Sequence, residues 1–304
     1  MIARVLVTLS VVAGCSGAAR GTIDPATDAD LDIVLPGNTY VGGIDVAQTL
    51  RAAVIAPYRG AIDRQTHEIL ASLPPGCNLD VLGSLHAITF GAHDGGIGGS
   101  LVAHGLPTDH LRGCLASGNA AVAVVRTDVY RVAVEQTEIE IRLVDRDTTW
   151  VRWAPQGTLG EPATSREDPY ELRPMLARVD RSATAWVVTK PSAADLRDMW
   201  ADKDLPPPIA VAASVQLGRG VALDADYRTA SEAAAHKTSD TLGPQLALAR
   251  SLMQLDISMH ADGDALHFHM AANAATVQRL FELVGALDSL GTLGDGSGSA
   301  GSGE

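Results

Sequence analysis

Hydrophobic and polar positions change their period repeatedly along this chain, and the changes mark out its elements. Residues 5–13 are an apolar run broken only by Thr8 and Ser10, and residues 16–35 are polar and acidic. From residue 38 onward, stretches of alternation give way to helical spacing and return. Residues 39–45 predict a strand, and 46–56 and 58–73 predict helices that stop at Pro74-Pro75-Gly76. Residues 79–92 and 97–104 predict a hairpin turning at Asp94-Gly95-Gly96. Pro107 suits the first position of a helix reaching about Ser117. Strands follow at 120–126, 130–134 and 138–143, with 148–153 pairing back across Asp145-Arg146-Asp147. In 138–143 the alternation is strict, which places Glu138 and Glu140 on the water-facing side of a one-sided sheet.

Pro, Gly and Glu accumulate over 154–174, and the order of elements then repeats. A strand at 183–189 and a helix at 191–201 precede a hairpin, 209–217 and 221–227, around Gly218-Arg219-Gly220. Helical segments at 229–236 and 244–254 lead to a last hairpin, 255–271, turning at Asp262-Gly263. Asn273 is placed to cap a helix whose Val277, Leu280, Phe281, Val284 and Leu287 form one apolar stripe. The expectation is an α+β fold of two successive modules, 38–153 and 175–290. Each is mostly antiparallel sheet with helices packed on one face, and 154–174 is the linker. The shared order suggests internal duplication, the other reading being two unrelated α+β layers. Residues 291–304 form a Gly/Ser tail too polar to bury a core and are expected to be disordered. Gly296 to Gly301 spells a dinucleotide fingerprint, but the flanking strand and helix that give it meaning are missing from the pattern.

Length and charge narrow the function. At 304 residues, with 46% hydrophobic and 19% charged side chains, the chain suits about two globular domains. Its 36 acidic against 23 basic residues, a net charge of −13, argue against a nucleic-acid partner, which requires a basic surface.

The N-terminus points outward from the cytoplasm. Met1-Ile2-Ala3-Arg4 is a short basic start, and the apolar run behind it is too short to span a bilayer. Val12-Ala13-Gly14-Cys15 resembles the lipobox of bacterial lipoproteins. That resemblance implies a signal peptide over 1–14, cleavage before Cys15, and a lipidated Cys15 holding the chain to the membrane. Ser16 after the cysteine resembles lipoproteins sent to the outer membrane. Residues 15–37 are then expected to be a flexible acidic tether. Asp28, Asp30 and Asp32 begin like a calcium loop, but Ile33 and Thr39 occupy the positions where Gly and Glu belong. With Cys15 assigned to lipid, Cys77 and Cys114 remain, and export favours a disulfide between them. Two buried free thiols are the alternative.

Enzyme signatures do not assemble: G-x-S-x-G and the P-loop pattern are missing, and His67-Glu68 is followed by Ala71 where a zincin has its second histidine. No catalytic residue is assigned. One constellation carries possible chemistry, namely Asp256, Ser258, His260, His267 and His269 in the last hairpin. With Asp262-Gly263 as the turn, Ser258 faces His267, Asp256 faces His269, and His260 lies diagonal to His267. Three imidazoles and a carboxylate on one strand face can coordinate Zn²⁺ or Cu²⁺. The competing reading is a hairpin's ordinary water-facing side, with no cofactor. The function expected is a non-enzymatic accessory or binding module at the cell envelope, with a membrane contact through Cys15 and an envelope protein partner. The alternatives are a metal-binding lipoprotein and an envelope hydrolase whose site leaves no local pattern.

Overall fold

The computed structural model describes residues 27–70, 80–93, 98–117, 122–159, 172–191, 205–253 and 255–279. Among the described residues, twelve strands form one antiparallel sheet. β1 (Tyr40–Asp45) pairs with β2 (Ala87–Ala92) on one side and β8 (Ala185–Thr189) on the other. The two expected modules therefore share a sheet, joined at their first strands.

Outward from this centre the topology repeats. β2 forms a hairpin with β3 (Gly99–His104), and β9 (Ala210–Leu217) forms one with β10 (Gly220–Arg228). A helix follows each hairpin, Thr108–Ala116 in the first half and Glu232–Met253 in the second. The strand that closes each following meander returns to the hairpin's outer strand. β7 (Thr148–Pro155) pairs with β3, and β12 (Ala265–Asn273) pairs with β10. β6 (Thr137–Leu143) and β11 (Asp256–Asp262) lie next outward, and the first half adds β5 (Val129–Val134) and β4 (Val122–Arg126).

Helices cover both faces of the sheet's middle, where one-face packing was expected. Helix α1 (Asp28–Val34) and the short α6 (Arg173–Leu176) bury Leu31, Val34, Leu35, Leu172 and Met175 against Val41, Val102, Trp186, Val188 and Ala212. On the opposite face, α2 (Val46–Arg51) sets Val46 and Leu50 against Ile44, Ile88 and Ala103. Gly43 makes this centre possible, because a Cβ there would meet the Trp186 indole at 2.3 Å. The chain runs from α2 through a 3-10 turn (Ala53–Tyr58) into α3 (Arg59–Leu70), with Val54 packed near Val277, Leu217 and Val221.

Several expectations change. Residues 28–35 are helix and buried cap, not tether: Thr27 and Asp30 form a reciprocal capping box, and three apolar side chains are drawn into the core. Residues 81–84 form a short helix, α4 (Val81–Ser84), capped by Asp80, so the strand expected over 79–92 begins at Ala87. The helix after the first hairpin is α5 and Pro107 is its N-cap. The two helical segments expected near 229–254 are one helix, α7, running through Pro244 and packed along β11. Asn273 caps a helix at 274–279 through the Thr276 N–H. The expected helix at 191–201, the Asp94 turn, most of the 154–174 linker, the signal peptide, Cys15, Cys77 and the 291–304 tail lie outside the described residues.

Candidate functional site

The polar side of the last hairpin is built by strand register. β10 and β12 pair along nine residues, which sets Asp226 opposite His267 and Asp224 opposite His269. Directly opposed side chains share a face. His267 Nδ1 lies 2.5 Å from Asp226 Oδ1, and His269 Nδ1 lies 2.6 Å from Asp224 Oδ1. β11 adds His260 opposite His267 and Ser258 opposite His269. The His260 and His267 rings stack with centroids 4.9 Å apart. These residues line a shallow depression of about 220 Å³ on the same face as α6, and Arg178, two residues past the end of that helix, places Nη1 3.9 Å from Asp226 Oδ2.

The turn is one step later than expected. Gly263 and Asp264 are its central residues, with Gly263 at φ +56°, and Asp262 pairs with Ala265. Partners move by two residues, so every side chain keeps its face while the cross-strand neighbours change. His260 meets His267 directly, not diagonally. Asp256 faces Ala271 at the far end, 3.9 Å from Arg250, and does not join the histidines. No group of three or more His, Cys, Asp or Glu among the described residues is arranged to hold a metal ion. Asp224 and Asp226, the strongest partners of these histidines, were absent from the sequence reading. Their alternation on one strand is legible, but nothing local in the sequence sets that strand opposite His267 and His269.

Charge behaves differently at the other end of this face. Glu140 is 6% exposed, not solvated. Arg131 and Arg142 hold its two oxygens, and the Arg142 guanidinium lies 4.1 Å over the Trp150 ring. Burial alone would raise the Glu140 carboxyl, but the two arginines more than offset it and the group sits below its ordinary range. The sheet ends beyond it at β4, an edge strand whose Val124 and Val125 are 65% and 48% exposed. Cys114, buried on α5, is disulfide-bonded, and its expected partner Cys77 lies outside the described residues.

In fold, the chain resembles TP0453. Crystal form III of that protein aligns with a TM-score of 0.51 at 12% identity, covering 85% of this chain and 97% of that one. Crystal form IV gives 0.49 at 13% identity, covering 88% and 99%. No family model and no curated protein matches the chain. At this identity the likeness to TP0453 is one of architecture alone.

Proposed function

We propose that this is a lipid-anchored protein of the bacterial cell envelope, held at the outer membrane through Cys15. It acts as a non-enzymatic accessory module by binding an extended segment of an envelope protein. The lipobox-like Val12-Ala13-Gly14-Cys15 supports the anchor. Two or more acyl chains give stable membrane attachment where one gives weak attachment.

The observation that carries the binding role is β4. An edge strand offers a row of outward N–H and C=O groups, which proteins ordinarily shield with charge, proline or a covering element. Here Ala123, Val124 and Val125 are exposed together, with Arg126 the strand's one charge. A second exposed apolar group, Leu248, Leu252 and Met253 on α7, lies beside the sheet's other edge strand, β11, but there α7 packs along the strand and Arg250 donates to the Ile257 carbonyl. The edge supplies directional main-chain bonds and the valines supply burial, the combination that strand addition uses.

A photo-crosslinking side chain at position 124, in cells carrying the anchored protein, tests this. One defined envelope protein should crosslink from position 124 and not from position 252, and Val124→Lys with Val125→Lys should abolish its capture. Cys15→Ala should release the chain from membranes and lower the yield. Capture that survives the double lysine variant would overturn the edge as the binding surface, and a Cys15→Ala chain that stays on membranes would overturn the anchor.

A further inference from the structure

We propose that His267 and His269 form a two-imidazole chelate for a borderline divalent cation, Cu²⁺ or Zn²⁺, with Asp226 and Asp224 as its positioning carboxylates. Three observations converge on it. First, the two histidines alternate on one strand, so they share a face with backbones about 6.8 Å apart along β12. That spacing lets two imidazoles lean to one point. β12 is held in register on both sides, by β10 and by β11, so the spacing is rigid.

Second, each Nδ1 is engaged by an aspartate on β10. An ionised carboxylate only accepts, so Nδ1 is the donor and carries the proton. In the neutral ring the lone pair is then on Nε2, the atom left to bind a ligand. Metal-binding histidines characteristically give their other ring N–H to a carboxylate, which fixes tautomer and orientation and raises basicity. Here both histidines have that support before any metal arrives. A merely solvated polar face has no need of two such matched pairs.

Third, the surroundings leave the coordination sphere open on one side. His267 and His269 side chains are 31% and 39% exposed, and the depression in front of them is shallow. His260 stacks against the His267 ring and so buttresses it from β11. Two protein nitrogens with water in the remaining positions make an exchangeable site, not a structural one. Imidazole ligation favours Cu²⁺ over Zn²⁺.

The test uses the full-length chain without a histidine tag. Titration with Cu²⁺ or Zn²⁺ near pH 7.5, followed by calorimetry, should show one saturable site with Cu²⁺ the tighter. The electron paramagnetic resonance spectrum of the Cu²⁺-loaded wild-type chain should show coupling to two nitrogens. His267→Ala and His269→Ala should each weaken binding at least tenfold and together abolish it. Asp226→Asn and Asp224→Asn keep the ligands and should weaken binding by about 10–100-fold. His260→Ala should leave the two-nitrogen coupling in place. Absence of saturable binding to the wild-type chain, or binding that survives the double histidine variant, would overturn the site. The spectrum of the wild-type chain decides the ligand number even if a variant fails to fold.

Discussion

Asp30 and His104 show what one buried pair contributes to this molecule. Asp30 on α1 is 4% exposed and its Oδ2 lies 3.1 Å from His104 Nε2 on β3, tying the first helix to the sheet. Burial would raise the Asp30 carboxyl, but the His104 hydrogen bond and the Thr27 N–H more than offset it, and the group is held low. For His104 the Asp30 bond comes first. It outweighs burial, Asp145 and Asp147 add to it, and the imidazole is raised. The signs define a window. The histidine's contribution is full below its unfolded value and is lost as pH rises through the raised folded one. The aspartate's is full above its unfolded value and is lost as pH falls through the lowered folded one. The pair therefore acts fully between about pH 4 and 6.5. His104→Gln should cost about 2–3 kcal/mol there. Thermal melts from pH 5 to 9 should show the gap from wild type narrowing as pH rises, and a pH-independent gap would refute the pairing.

At the scale of elements, α1 is the piece that depends most on what surrounds it. Seven residues make a marginal helix alone, and this one is held by its capping box, by Leu31, Val34 and Leu35, and by Asp32 to Arg173 and Asp28 to Arg181. The two arginine pairs are exposed and contribute little, so packing dominates. Leu35→Ala, at a side chain 2% exposed, should destabilise by about 2–5 kcal/mol, read as a lowered denaturant midpoint with unchanged slope. The acidic composition concealed this helix in the sequence. Asp24, Asp28, Asp30 and Asp32 read as a solvated spacer, yet Thr27 with Asp30 three residues on, and Leu31, Val34 and Leu35 at helical spacing, were all present. Strands were more legible, because alternation survives any register. The β11–β12 hairpin and its histidine face were readable, whereas pairing turned on which residue Gly263 neighboured in the turn. Asp224 and Asp226 were unreadable as site residues because β10 meets β12 only across α7 and β11 in sequence. Contacts that long in range leave no local spacing.

At the scale of the whole molecule, the repeated strand order makes two halves, but their boundary runs through the largest buried cluster among the described residues. Leu31, Val34, Leu35, Val41 and Val102 come from one half, and Leu172, Met175, Trp186, Val188 and Ala212 from the other. Tyr40 to Ile44 pair in register with Thr189 to Ala185 across that boundary. Each half alone would expose the side of β1 or β8 that the other covers, together with half of this cluster. Such an apolar face with an open edge associates or aggregates. The two halves, cut within the segment between β7 and α6 and expressed apart, should therefore be poorly soluble or self-associated. Expressed together, they should co-purify as a one-to-one complex that melts cooperatively. The lipobox-like segment and β4 would then lie on one fragment and the histidine face on the other. Fragments that each melt cooperatively as monomers would show instead that the sheet's centre is a docking surface between independent domains.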